Sequence, residues 1–559
     1  MSYQVNKISA PQIIPIPGGL KVGTQIVIRG KTPYSSDGFS LNFQNEYDGG
    51  NIALHFNPRT DGNSVVRNSF QGDWHDEETD SPYFPFLEGK KFTLRFLVTP
   101  DEYDISVNGK DFVKFSHRLP FNEVEYLRLN DNAEYYDLAI QNNKTAPFNA
   151  VFPDRRLREG VAVRIRGVIL PDAQSFAVNF NCDSDGDNTG FHFNPRQFSN
   201  IVLRNSKFGD WGEEETESPD FPFQPGQYFD LLIIATEGRF NVYVNGKFFT
   251  LFNYRCPVED MKYIYCGGDL SIADVDIYEP LPGDFSKEIK SGLEKSDMIV
   301  VKGFFYPEGE SFSINLLNGY SIADSDIAFH LNPRRNDGEV IMNSRFDGNW
   351  GDEERVPNPP AFLELLPFEV KIVTKGSKFK VYVNGKKFES YKARGNVDDI
   401  KSINATGDAY IFEVKLLQRL DQPIIQKIPG NLQPGRWLFF LGTAKKDAQN
   451  FVINLQCNDS MDYDGSTDIA LHFNPRFSDR QTVRNHLLDG NWGDEERDQA
   501  EFPFEEKDTF EIAMQVLNDE YKIYVDGKHY IDYNHRMDMN RVCHIMLAGD
   551  ANFFEPEFN

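Results

Sequence analysis

Hydrophobic and polar residues alternate along much of this chain at a period of two. Phe240, Val242 and Val244 alternate with Asn241 and Tyr243, and Phe92, Leu94, Phe96 and Val98 lie two apart, as do Phe510, Ile512, Met514 and Val516. Successive side chains of a strand point to opposite faces, so each run predicts a strand with one face on a core. Val244-Asn-Gly-Lys247 then leads into Phe248. Asn-Gly between two such runs predicts a two-residue type I′ hairpin, whose central residues both need φ > 0. The same hairpin is expected at Val107-Asn-Gly-Lys110, Val383-Asn-Gly-Lys386 and Val525-Asp-Gly-Lys528. No segment of about 12 residues carries apolar positions at helical spacing. Many short strands with regular turn signals predict an all-β chain of antiparallel sandwiches.

The hairpin is one part of a longer repeat. His55-Phe-Asn-Pro-Arg59, His192-Phe-Asn-Pro-Arg196, His330-Leu-Asn-Pro-Arg334 and His472-Phe-Asn-Pro-Arg476 begin 137, 138 and 142 residues apart. Such a period is that of a whole domain, not of a solenoid unit. Nine residues after each Arg stands Asn68, Asn205, Asn343 or Asn485, and six or seven further on Trp74, Trp211, Trp350 or Trp492. Each Trp is followed by paired glutamates: Glu77-Glu78, Glu214-Glu215, Glu353-Glu354 and Glu495-Glu496. Four domains are therefore expected, at 1–143, 144–281, 282–419 and 420–559. The linkers, near Gln141–Asn149, Glu279–Ser286 and Gln418–Pro423, are short enough that neighbouring domains should touch.

Composition narrows the function. The 559 residues carry 58 Lys and Arg against 85 Asp and Glu, a net charge of −27. Such a surface repels phosphate backbones and anionic bilayers, so neither nucleic acid nor a membrane surface is an expected partner. Aromatics make up 14%, with 48 Phe, enough to close small cores without disulfides. The cysteines, Cys182, Cys256, Cys266, Cys457 and Cys543, are odd in number and form no CxxC, which predicts free thiols in a reducing compartment and no zinc ribbon. Met1 to Pro17 lacks the charged and apolar regions of a secretory signal, and no run reaches the 18 or so apolar residues of a membrane helix. The sequons at Asn143, Asn404 and Asn458 are read as chance.

On a strand, His55, Asn57 and Arg59 share one face while Leu54 and Phe56 face the core, and the other three copies repeat the pattern. Pro58 lacks an N–H, so the strand is expected to become irregular there. A His, an Asn and an Arg in a fixed fan offer donors and acceptors suited to sugar hydroxyls. Trp74 would supply a flat apolar platform for a pyranose face, and Glu77 would accept from a hydroxyl and hold Arg59. Any one such residue is usually solvated or core, but the full set four times over is not coincidence. Trp437 falls outside the set and reads as core.

The chain resembles the galectins, the β-galactoside-binding lectins, whose signature is His-x-Asn-Pro-Arg, Val-x-Asn and Trp-Gly-x-Glu-x-Arg. The middle part stands here as Val66-Arg-Asn68, Leu203-Arg-Asn205, Ile341-Met-Asn343 and Val483-Arg-Asn485. The resemblance spans the whole chain and implies four tandem jelly-roll-like antiparallel β-sandwich domains, each with a site on its concave sheet. It implies that His55, Asn57 and Arg59 with their counterparts grip the axial 4-hydroxyl of galactose, that Asn68 and Glu77 reach the 6-hydroxyl, and that the Trp stacks on the sugar. It further implies a multivalent lectin without metal or cofactor, made in the cytoplasm and released without a signal peptide. Its partners would be β-galactoside glycans of glycoproteins and glycolipids.

The repeats depart from the signature in places. Its last Arg is present as Arg355 and Arg497, but Thr79 and Thr216 stand there in the first two repeats, where the Asn-to-Trp interval is also one residue shorter. His75 replaces the Gly that follows Trp elsewhere. These changes predict weak lactosamine binding by domains one and two. The alternative is a galectin-like structural or protein-interaction module whose first two domains have lost or altered sugar binding. A glycoside hydrolase is disfavoured: adjacent Glu77 and Glu78 point to opposite faces, and Arg59 would keep Glu77 ionised. The acid-rich run from Asp183 to Asp187 lacks the Gly and Glu spacing of a calcium loop and reads, like Asp459–Asp464, as a solvated turn.

Overall fold

The computed structural model describes all residues except 1, 6–9, 17–18, 23, 35, 109, 131, 142–145, 290–291, 364–365, 429–431, 461–466 and 559. The sequon at Asn143, Gly109 of the first hairpin and much of the second acidic turn thus lie outside the described residues. Each repeat folds as a pair of antiparallel sheets. In the second repeat one sheet runs in the order Phe148–Val151, Tyr263–Gly268, Phe176–Asn181, Asn188–Arg196, Ile201–Phe208, Asp210–Trp211. The other runs Lys247–Asn253, Arg239–Val244, Tyr228–Thr236, Ala162–Ile169, Leu270–Tyr278. The first carries the repeated motif and is called the site sheet; the second is the back sheet. Among the described residues, helix is confined to one turn at Pro360–Leu363 and short 3₁₀ segments. No helix among the described residues is long and apolar enough to cross a membrane.

The two sheets meet through the side chains that the alternation turns inward. Phe180, Phe191, Phe193 and Val202 from the site sheet and Leu231, Ile233, Phe240 and Val242 from the back sheet form one buried cluster. In every repeat a Phe of the site sheet stacks on a Phe of the back sheet: Phe39 on Phe92, Phe176 on Phe229, Phe312 on Phe368 and Phe451 on Phe510, with centroids 5.1, 5.5, 4.7 and 4.9 Å apart. Such a pair adds about 0.5–1.5 kcal/mol beyond its buried area, which is where the aromatic wealth goes. The neighbouring strand must be bare above these rings. A Cβ on Gly30, Gly303 or Gly442 would come within 2.9, 2.6 or 2.4 Å of a ring carbon. The hairpins adopt the expected turn, with Asn245, Asn384 and Asp526 at φ 51°, 49° and 48°, each followed by a Gly at positive φ.

One expectation is corrected. The motif strand does not become irregular at its proline: Pro58 stays in register opposite Val65, and the register shift lies earlier, between Ile52 and His55. Trp437 is fully buried, as expected, and its place is between two repeats. It packs with Phe439, Ala513 and Tyr524 of the fourth repeat against Val168 and Ala273 of the second. Consecutive repeats do touch, as Ala162, Ile234, Tyr243 and Tyr278 of the second and Phe304 and Phe412 of the third form one cluster.

Candidate functional site

The motif strands, Ile52–Arg59, Asn188–Arg196, Ile327–Arg334 and Ile469–Arg476, run through the interior of the site sheets. Leu54 and Phe56 are fully buried while His55, Asn57 and Arg59 line the opposite face. The next strand places its Asn directly across from the His in all four repeats: His55 from Asn68, His192 from Asn205, His330 from Asn343 and His472 from Asn485. A two-residue strand then folds Trp back onto the His. The ring centroids of His55 and Trp74, His192 and Trp211, His330 and Trp350, and His472 and Trp492 lie 4.9, 4.7, 4.7 and 5.0 Å apart. These indoles are 52, 52, 49 and 43% exposed, unlike a core Trp, and form the wall of an open platform.

The run Asn-Pro-Arg has a physical reason. Phe39 donates its N–H to the Pro58 carbonyl at 3.1 Å, but Pro58 has no N–H to return to the Phe39 carbonyl. The Asn57 side-chain amide does so instead, at 2.7 Å. Asn194, Asn332 and Asn474 likewise donate to the carbonyls of Phe176, Phe312 and Phe451 at 2.6, 2.6 and 2.7 Å. The Asn oxygen then accepts from Nε of the Arg two residues on, at 3.0, 2.8, 2.8 and 2.9 Å for Arg59, Arg196, Arg334 and Arg476. The Asn thus replaces the proline's missing backbone donor and aims the guanidinium, whose terminal nitrogens are left toward the groove.

Each His is oriented by a residue that the sequence analysis did not single out. Nδ1 of His55, His192, His330 and His472 meets Oδ1 of Asn42, Asn179, Asn315 and Asn454 at 2.6, 2.7, 2.6 and 2.8 Å. An amide oxygen only accepts, so Nδ1 carries the proton and Nε2 is a bare acceptor on the groove. Burial, reinforced by the neighbouring Arg, pushes all four imidazoles down to about 4. The signal was present as an Asn three residues after Phe39, Phe176, Phe312 and Phe451, on the strand before each motif.

The glutamates divide into two roles. The first of each pair turns to the groove: Glu77, Glu353 and Glu495 pair with Arg59, Arg334 and Arg476 at 3.1, 3.4 and 3.0 Å. Arg355 adds a second contact to Glu353 at 2.5 Å, and Arg497 one to Glu495 through Nε at 2.9 Å. These arginines hold the Glu353 and Glu495 carboxyls below the usual range. The second repeat differs: among the described residues, Arg196 and Glu214 form no ion pair.

The second glutamate of each pair turns away to an Arg that the sequence reasoning also missed. Glu78, Glu215, Glu354 and Glu496 pair with Arg118, Arg255, Arg394 and Arg536 at 2.5, 2.7, 3.4 and 2.5 Å. Arg255 and Arg394 also donate to the buried Asn205 and Asn343 at 2.9 Å, and Arg118 to Asn68 at 3.3 Å. A Cβ on Gly212 would lie 2.9 Å from the Arg255 guanidinium. In the first repeat His75 stands there, and its Nδ1 meets Ser69 Oγ at 2.8 Å. Asn68, Asn205, Asn343 and Asn485 also donate to the carbonyls of His75, Gly212, Gly351 and Gly493 at 2.7, 2.9, 2.9 and 2.9 Å, which ties the Trp loop to the sheet.

Asp183 closes its acidic loop by accepting from the Asn188 backbone at 3.0 Å, and no cluster of three metal-binding side chains occurs among the described residues. All five cysteines are free thiols.

The sequence profile of the galactoside-binding lectins matches residues 11–139, 147–277, 284–416 and 423–556. Galectin-6 of Mus musculus is 38% identical over 284 residues, 47% of this chain and 93% of its own length. Galectin-4 of Homo sapiens is 33% identical over 307 residues, 48% of this chain and 95% of its own. The 32 kDa beta-galactoside-binding lectin of Caenorhabditis elegans is 30% identical over 271 residues, 48% of this chain and 94% of its own. With four copies of the site and four profile matches along its length, the chain belongs to the galactoside-binding lectin family, the galectins.

Proposed function

We propose that the protein binds β-galactosides at four sites without metal and cross-links the glycoconjugates that carry them. The observation that supports this best is the fourfold recurrence of a neutral His acceptor, an aimed Arg and an exposed Trp around one groove. The His Nε2 accepts from a hydroxyl, the Arg donates to one, and the indole covers the CH face that an axial 4-hydroxyl leaves open. The carboxylates do not fit a hydrolase, since Glu77 is paired with Arg59 while Glu78 is paired with Arg118 on another side. The expected ligands are galactoside ends of glycoproteins and glycolipids, met in the cytoplasm or after signal-independent release. The first two sites, lacking Arg355 and Arg497, should hold lactose more weakly.

Lactose calorimetry on the full chain in EDTA tests the proposal. Binding with more than one site per chain supports it. An absence of heat, or binding that EDTA abolishes, rejects it. Agglutination of galactose-bearing vesicles that free lactose reverses tests the cross-linking.

A further inference from the structure

The motif face of each sandwich repeats four times, but the outward positions of the back sheets do not. Aligned on Gly30, Gly167, Gly303 and Gly442, the residue three places earlier is Val27, Arg164, Val300 or Phe439, and five places earlier Gln25, Ala162, Met298 or Trp437. These differing residues pack against one another. Tyr228 of the second repeat lies 5.5 Å from Tyr524 of the fourth, and the Arg166 guanidinium sits 5.0 Å over Phe439. Arg166 is also shared between Asp274 of its own sheet at 2.9 Å and Glu511 of the fourth repeat at 3.1 Å. Tyr278 of the second repeat stacks on Phe412 of the third at 6.0 Å and accepts from Lys302 at 3.4 Å. Tyr382 of the third repeat donates to the Lys507 carbonyl of the fourth at 2.6 Å. Arg95 of the first repeat pairs with Glu555 of the fourth at 2.9 Å.

The second repeat's contacts use the side of the back sheet opposite the site sheet, as the alternation requires: Ile165, Leu231 and Val275 point into the second sandwich while Arg166, Tyr228 and Asp274 point out of it. The first and fourth repeats meet, as do the second and fourth, so the packing is not a product of short linkers. Buried charges at the seams have counter-charges across them, which an accidental collision would not supply.

We infer that the chain acts as one rigid body whose four sugar grooves face away from a shared centre, so that it joins separate glycoconjugates and does not chelate two ends of one short branched glycan. This rests on the lectin reading above. From the groove of the second repeat to that of the fourth there are three successive sheet-to-sheet gaps of about 10 Å, so the two grooves lie roughly 30 Å apart on opposite sides.

The test has two arms on the full chain. Small-angle scattering needs no sugar: a compact body of this length should give a radius of gyration near 24 Å, whereas four independent beads would exceed about 35 Å. Calorimetry then compares lactose with two lactosides joined by an ethylene-glycol linker spanning about 15 Å. The expected gain per molecule is the statistical twofold, against the ~100-fold or more that chelation brings. A radius above about 35 Å, or a gain above about tenfold, overturns the inference. Failure of plain lactose to bind would reject the lectin reading alone and leave the scattering arm to judge the rigid body.

Discussion

Lactose binding should survive mild acid, because the groove histidine is neutral long past the point where an exposed one would be charged. Each site offers Nε2 as an acceptor only while Nδ1 holds the single proton against Asn42 or its counterpart. Burial pushes all four histidines from 6.5 down to about 4. If only the neutral form binds, the apparent Kd rises by 1 + 10^(pKa − pH), which at about pH 5.5 is roughly 1.03 for a pKa near 4 and roughly 11 for one near 6.5. Half of the affinity should be lost only near pH 4. The same shift carries a stability cost. Each folded pKa lies below the unfolded value, so the associated stability is complete above about pH 6.5 and is lost as pH falls toward about 4, by roughly 3 kcal/mol per His at most. Lactose calorimetry at about pH 7.5, 5.5 and 4.5 should therefore show near-constant affinity over the first two, while the melting temperature already falls. A tenfold loss of affinity by pH 5.5 in a folded sample would show that the imidazole titrates as if in water, and the His–Asn arrangement would be wrong.

Other perturbations separate the parts of the site. Trp492→Ala in the full chain should remove one lactose site and shift stability by no more than about 0.5 kcal/mol, since the ring is 43% exposed; a loss of several kcal/mol would mark the ring as core. Asn474→Ala should remove the same site and also cost about 1–3 kcal/mol, because the Phe451 carbonyl loses its donor; unchanged urea unfolding would refute the proline argument. Arg355→Thr together with Arg497→Thr should weaken the last two sites about tenfold, roughly 1.4 kcal/mol each, without lowering the melting temperature; equal affinities before and after would show these arginines to be immaterial. Arg166→Ala should destabilise the chain by about 1–3 kcal/mol by removing the charged bonds to Asp274 and to the partly solvated Glu511, and denaturant unfolding that does not move would remove the seam's electrostatic role.

How far the sequence could be read depended on what repeats. Strand periodicity fixed which of His55, Phe56, Asn57 and Pro58 face out, and four copies of the motif separated site residues from coincidence. Asn42 escaped because its role depends on strand pairing across 13 residues, although the fourfold Asn was in plain view. Arg118, Arg255, Arg394 and Arg536 escaped because each comes from beyond the hairpin, some 40 residues after its glutamate. The proline was misjudged for a local reason: the usual rule assumes that nothing else donates in its place, and here Asn57 does.

The back sheets were illegible for the opposite reason. An outward Trp437 or Phe439 obeys the same period-two rule as an inward Leu438, and the rule alone does not say whether solvent or another domain covers it. The information lies in the contrast between repeats. Where a face must bind the same kind of ligand four times, its residues are copied; where four faces must bind one another, copying would set arginine against arginine. Arg166 of the second repeat corresponds to Leu441 of the fourth, and its neighbour across the seam is the carboxylate of Glu511. Divergence at outward positions of otherwise copied domains therefore argues for heterologous packing between them, while identity at outward positions argues for a common ligand. Applied to this chain, the first half of that rule locates the seams and the second half locates the four grooves.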